Sequence, residues 1–161
     1  PGRGEKLIIN FDSKQKTIIV DDSYNANPAS MKAALNNFNN LKTKYDAFET
    51  VVIIGDMLEL GKNSTEMHLE LVPLLKTINP NLLLTVGEYT KKINDKLNLK
   101  ADCYSYFDIN QLIKEIKQYI RPNQIILLKG SNGTGLWKLV PIFKSIVQEN
   151  ANAAWSFVKL Y

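Results

Sequence analysis

Cysteine is almost absent: Cys103 is the sole one in 161 residues. That excludes an internal disulfide and any multi-cysteine metal site, and it fits a reducing compartment. Histidine is as scarce. His68 has no second histidine to share a metal with, so it is expected to pack or to face solvent, and no metal ligand set is expected in this chain. Arginine occurs only at Arg3 and Arg121, and the net charge of +4 comes from lysines scattered over the expected helices. Nucleic-acid binding needs a clustered basic face, which is missing. No apolar run reaches the ~20 residues of a membrane-crossing helix, and no secretory leader is recognisable, so no membrane partner is expected. Asn63-Ser64-Thr65 and Asn132-Gly133-Thr134 match the glycosylation pattern but are discounted for the same reason. The G-x-G-x-x-G fingerprint is missing. Gly130 and Gly135 have P-loop spacing, but Leu136-Trp137 stands where Lys and Ser/Thr belong. Nor is there a Ser/His or Cys/His pair for nucleophilic catalysis.

What is present is an ordinary globular composition, 45% hydrophobic and 22% charged, in a length suited to one domain over residues 1–161. The chain opens at Pro1-Gly2-Arg3-Gly4 without a Met, as expected of a segment cut from a longer protein. Apolar runs at 6–11, 17–20, 50–54, 82–86, 103–106 and 124–128 are expected strands. Between them lie segments with apolar residues at helical spacing: 29–45, 63–78, 89–97, 108–120 and a last helix from Leu136 onward. Asn27 is the expected N-cap of the first helix, with Pro28 at its first position. Asn63 and Glu66 have capping-box spacing, Asp108 is another expected cap, Pro73 should bend or shorten its helix, and Pro141 should interrupt the last one. The tail 148–161 receives no assignment. Strands apolar on both faces, alternating with helices, predict an α/β domain: a three-layer, doubly wound, mostly parallel sheet with helices on both faces.

In that architecture the loops following the strands gather at one edge. Three of them, 21–27, 55–61 and 129–135, are polar or glycine-rich, and they are predicted to converge. The first reads Asp21-Asp22-Ser23-Tyr24-Asn25-Ala26-Asn27-Pro28. Aspartates end strands and start turns readily, but two carboxylates, a tyrosine and two amides exceed what a turn needs. Alternate residues of a strand point to opposite faces, so one aspartate at most should face a ligand, and Asp22 is favoured. Gly55-Asp56 reads equally well as a plain strand end. The turn from Lys129 to Gly135 reads either as a glycine-rich entry to a helix or as a site where Lys129, Ser131 and free backbone N–H groups hold a carboxylate or phosphate.

These residues resemble a known family. The segment 21–28 followed by Ser30-Met31 is similar to the signature of the Mur ligases, most closely the MurF type. Pro1-Gly2-Arg3-Gly4-Glu5 resembles the start of their C-terminal domain, Gly55-Asp56-Met57-Leu58-Glu59-Leu60-Gly61 with His68 the next shared segment, and Lys129-Gly130-Ser131 the last. The resemblance implies the C-terminal domain, with a dinucleotide-binding-like fold, of a cytoplasmic, monomeric, ATP- and Mg²⁺-dependent ligase. Such an enzyme joins D-alanyl-D-alanine to UDP-N-acetylmuramoyl-tripeptide through an acyl phosphate, in peptidoglycan synthesis. It implies a central ATPase domain as partner, with ATP and Mg²⁺ belonging to the full-length enzyme and neither bound by this domain alone. It implies that Arg3 reaches the ATP phosphates and Asp22 the ribose, and that Tyr24, Asn25 and Asn27 line the cleft. It further implies that Lys129, Ser131 and Asn132 hold the dipeptide. Three alternatives stay open: another Mur-type or folylpolyglutamate-type ligase, a non-catalytic nucleotide-binding module, and a docking module.

Overall fold

A computed structural model describes residues 1–97, 102–146 and 149. The apolar runs become strands β1 (Glu5–Asn10), β2 (Lys16–Asp22), β3 (Glu49–Gly55), β4 (Leu82–Val86), β5 (Asp102–Tyr106) and β6 (Gln124–Lys129). They form one sheet in the order β1-β2-β6-β3-β4-β5. β1 runs antiparallel to β2 at one edge, and every other pairing is parallel. The central strands are buried along their length, because helices cover both faces.

Helices α1 (Pro28–Lys44), α2 (Ser64–Leu69), α3 (Val72–Ile78) and α4 (Glu88–Lys96) connect successive strands as far as β5. On one face of the sheet Met31, Leu35 and Phe38 of α1, Leu75 and Ile78 of α3 and Ile93 of α4 pack against Ile18, Val52, Ile54, Leu83, Ile125 and Leu127. Helix α5 (Ile109–Glu115) and helix α6 (139–146) cover the opposite face. There Ile109, Leu112, Leu139 and Phe143 meet Ile19, Val51, Ile53, Leu84, Ile126 and Leu128. The odd and even residues of each strand thus feed two separate cores, as the pleat requires. This is the expected three-layer, doubly wound architecture.

Local details depart from expectation at the helix ends. Asn27 caps α1 as expected, its side chain accepting from Ser30 N–H at 2.8 Å, with Pro28 in the first turn. The capping box expected at Asn63 does not form, because a 3₁₀ turn over Gly61–Asn63 enters α2 and the Asn63 side chain makes no cap bond. Pro73 splits the expected long helix into α2 and α3 and sits in the first turn of α3, where its missing N–H costs nothing. Pro141 likewise falls in the first turn of α6 and does not interrupt it, since a 3₁₀ turn, Leu136–Lys138, precedes it. α5 ends at Glu115 and continues as a 3₁₀ turn over Ile116–Tyr119. The tail from 150 onward lies outside the described residues. Among the described residues no helix is long and apolar enough to cross a membrane.

Candidate functional site

β2 hands the chain to α1 on one face and β6 hands it to α6 on the other, so a crevice opens between adjacent strand ends. The three turns singled out in the sequence meet there. Ser131 N–H donates to the Asp56 carbonyl at 3.1 Å, and Leu58 N–H donates to Ser131 Oγ at 2.9 Å. The Ser131 hydroxyl in turn donates to the Ala26 carbonyl at 3.3 Å. Glycines at 55 and 130 make this crossing possible: a Cβ on Gly130 would stand 3.0 Å from the Gly55 Cα. The antiparallel β1 brings the amino-terminal residues to the same rim, with Gly4 N–H donating to the Asp21 carbonyl at 2.8 Å and Tyr24 N–H to the Gly2 carbonyl at 2.9 Å.

The two aspartates separate as the pleat predicts. Asp21 is buried and accepts from the Ser23 hydroxyl and from Ser23 N–H, a local turn role. Asp22 lies on the α1 side, opposite Lys129 in the parallel register, and their charged atoms are 3.1 Å apart. Lys129 is 3% exposed and also donates to the Asn25 carbonyl at 2.6 Å. A cleft of about 280 Å³ is lined by Gly2, Arg3, Asp22, Tyr24, Asn25, Asn27, Ser30 and Lys129. The Arg3 guanidinium stacks over the Tyr24 ring, 4.4 Å from its centroid, and among the described residues no carboxylate pairs with it. Arg3 is exposed. The sequence-derived set of Arg3, Asp22, Tyr24, Asn25, Asn27 and Lys129 shares one concavity. Ser131 stands behind it with its hydroxyl committed to the two neighbouring turns. Asn132 is exposed and lines an adjoining hollow with Tyr24 and Trp137. A larger hollow, about 580 Å³, opens at the amino ends of the strands between Glu49, Asp102 and Arg121, away from all three turns.

Asp56 resolves as a structural residue. Its buried carboxylate accepts from Thr90 N–H at 2.7 Å and Tyr89 N–H at 3.2 Å, satisfying the first amides of α4. His68 is a buried packing residue, stacked on Tyr89, and its Nε2 accepts from Met57 N–H at 2.9 Å. Sequence reading missed this bond; its only trace was a histidine at a helical position beyond the 55–61 turn. Burial holds the imidazole below its ordinary value of 6.5; the Ser64 carbonyl and the Asp56 charge oppose the shift, and Lys92 adds to it. Unfolded, the ring takes its proton near the ordinary value; folded, it does so only at a lower pH. Between the two the unfolded chain binds the extra proton, so stability is level above that window and falls as pH drops through it. The urea midpoint of the chain is therefore expected to decline on acidification from about pH 6.5. His68→Gln should flatten that decline, and an unchanged slope in the variant would assign it to carboxylates.

A family model described as "Mur ligase, glutamate ligase domain" matches residues 8–132. The chain belongs to this family. Among related proteins, the UDP-N-acetylmuramoyl-tripeptide–D-alanyl-D-alanine ligase of Rickettsia prowazekii is 38% identical over 143 residues, which cover 89% of this chain and 30% of that one. The ligase of the same name from Escherichia coli is 29% identical over 142 residues, covering 87% of this chain and 29% of that one. This Mur ligase domain thus spans about 30% of the length of the curated relatives it matches. Solved structures share its fold. A MurF from Acinetobacter baumannii superposes with a TM-score of 0.68 at 23% identity, over 88% of this chain and 30% of that one. A domain from a putative UDP-N-acetylmuramate:L-alanyl-gamma-D-glutamyl-medo-diaminopimelate ligase of Haemophilus ducreyi superposes at 0.55 and 19% identity, over 94% of this chain and 98% of that one.

Proposed function

We propose that this chain is the C-terminal domain of a MurF-type ligase, which adds D-alanyl-D-alanine to UDP-N-acetylmuramoyl-tripeptide. The observation that carries the reading is the shared rim: the 21–27 turn and the Lys129–Ser131 turn, bonded to each other and flanked by the Asp22–Lys129 pair. The tripeptide carboxylate takes a phosphoryl group from ATP, and ADP leaves. The dipeptide amine then attacks the acyl carbon, phosphate leaves, and the amine gives up a proton. Neither step needs a protein nucleophile; both need positioning and charge neutralisation.

The residues present suit that division of labour. Arg3 offers an unpaired fork of donors to phosphate oxygens. Asp22 offers a carboxylate oxygen to ribose hydroxyls, and Tyr24, Asn25 and Asn27 line the nucleotide side. Lys129 and Asn132 stand on the side that takes the dipeptide carboxylate, and Ser131, whose two donors are bonded to Ala26 and Asp56, shapes that side from behind. Mg²⁺ belongs with the ATP phosphates on the central ATPase domain, the partner over which this domain closes. The substrates are cytoplasmic, and the enzyme works there as a monomer.

The test is turnover by the full-length protein with ATP, Mg²⁺, UDP-N-acetylmuramoyl-tripeptide and a panel of amines. D-alanyl-D-alanine should be the best acceptor, and the isolated 161-residue chain should form no product. Asp22→Asn in the full-length enzyme should raise KM for ATP about 10-fold, the cost of one charge-assisted hydrogen bond. Preference for a glutamate or another amino acid as acceptor would reassign the ligase. Product from the isolated chain would overturn the division of labour.

A further inference from the structure

His68 touches nothing in the cleft, yet it anchors one end of a hydrogen-bond chain that reaches it. Three consecutive amides leave the end of β3. Asp56 N–H donates to the Val86 carbonyl at 3.1 Å, Met57 N–H to His68 Nε2 at 2.9 Å, and Leu58 N–H to Ser131 Oγ at 2.9 Å. The Ser131 hydroxyl then donates to the Ala26 carbonyl. Met57 is fully buried, so its N–H has no water to turn to, and the histidine is the acceptor it has.

The other ring nitrogen, Nδ1, faces the Ser64 carbonyl of α2. A carbonyl only accepts, so that contact requires a proton on Nδ1 and leaves the Nε2 lone pair for Met57. One neutral tautomer satisfies both contacts, whereas an imidazolium would set donor against donor at Met57. The ring is held in that orientation by stacking on Tyr89, with centroids 5.0 Å apart and planes 21° from parallel. The charged and titratable groups facing it are Asp56 from the turn, whose carboxylate is occupied by α4 amides, and Lys92 and Tyr89 from α4.

We propose that His68, as the neutral Nδ1–H tautomer, is a positioning residue for the substrate rim, fixing Ser131 and the 25–27 turn through Met57 and Leu58. What the rim binds rests on the ligase reading above; the coupling itself does not.

His68 is the sole histidine, so its ring ¹⁵N signals in the isolated chain need no assignment. At pH 7.5 they should report protonation at Nδ1; protonation at Nε2 overturns the proposal. Amide exchange then separates coupling from general packing. His68→Leu, which removes the acceptor, should speed exchange ~10-fold at Met57, Leu58 and Ser131 while Ile53 and Leu127 keep their protection. His68→Gln, which restores an acceptor, should stay near wild type. Acceleration confined to Met57, or spread evenly through the sheet, overturns the proposal. If the Leu variant does not fold, the wild-type titration decides. Ser131 and Ala26 amide shifts must then follow the ring's own midpoint and lose that inflection in His68→Gln; indifference to it is the failing result. In the full-length ligase His68→Leu should raise KM for the amine more than it lowers kcat. An enzyme that turns out to use a different amine would change the identity of the ligand and leave the exchange result intact.

Discussion

Lys129→Met is expected to destabilise the chain by about 3 kcal/mol and to leave the full-length ligase without measurable turnover. The ammonium is 3% exposed and lies 3.1 Å from the Asp22 carboxylate, which keeps 24% of its exposure. It also donates to the Asn25 carbonyl at 2.6 Å. Removing one partner of a buried pair costs more than the pair contributes, because the other charge is left without compensation. Here the residual exposure of Asp22 lets water take part of the load, which holds the figure near the lower end of the usual range of roughly 3–5 kcal/mol. Neutralising both partners should recover much of the loss: the Asp22→Asn, Lys129→Met double variant should be less destabilised than the sum of its singles. Urea unfolding of the four proteins closes the cycle. A loss under about 1 kcal/mol for Lys129→Met would mean that Asp22 is solvated well enough to stand alone, and the pair would then not organise the rim.

That pair also bears on which polar groups of the cleft are already engaged. In the chain as folded, Lys129 is held by Asp22 and Asn25, and the Ser131 hydroxyl is held by Leu58 and Ala26. Arg3, stacked on Tyr24, is the rim cation without a carboxylate among the described residues. Lys129 ties Asp22 and the 25–27 backbone together.

The sheet and its two cores were legible because their signal is periodic and local. Val51 through Ile54 and Ile125 through Leu128 are apolar at every position, which demands cover on both faces, and both faces are covered. That Asp21 and Asp22 part to opposite faces followed from the two-residue repeat of a strand, whereas only the register with Lys129 placed Asp22 on the α1 side. Convergence of the turns followed from parallel topology. What was not legible depended on contacts across sequence. The cap expected from the spacing of Asn63 and Glu66 lost to a 3₁₀ entry, in which Ser64 N–H donates to the Gly61 carbonyl. Pro73 shortens its helix as expected, by starting a new one, whereas Pro141 starts α6 where an interruption is expected, because nothing local says where the preceding turn ends. Asp56 read equally well as a strand end or a site residue; its partners are Tyr89 and Thr90, brought near only when β4 pairs with β3. His68 belongs to the same class. A lone histidine at a helical position says nothing of a tautomer fixed by Met57 on one side and Ser64 on the other.

Gly87→Ala should cost about 4 kcal/mol, through two effects that a control can separate. Gly87 follows β4 with φ +119, a backbone region that L residues rarely adopt, and occupying it with a side chain costs roughly 1–2 kcal/mol. The second effect is steric and electrostatic. A Cβ at Gly87 would occupy the volume of the Asp56 carboxylate, which accepts from Tyr89 and Thr90 and so caps α4. Asp56 is 6% exposed, so displacing it strands a buried charge and two amides, adding about 2–3 kcal/mol. Gly61 is the control: its φ is +69, but a Cβ there would meet nothing within 4 Å, so Gly61→Ala should show the backbone cost alone. The gap between the two variants in urea unfolding is then an upper bound on the contribution of Asp56, since φ +119 is also the harder region for a side chain. Because the Asp56 carbonyl accepts Ser131 N–H, the larger loss should also carry a raised KM in the full-length ligase, whereas Gly61→Ala should leave KM unchanged. Equal losses for the two alanines would remove Asp56 from the argument and leave the cap of α4 a passive contact.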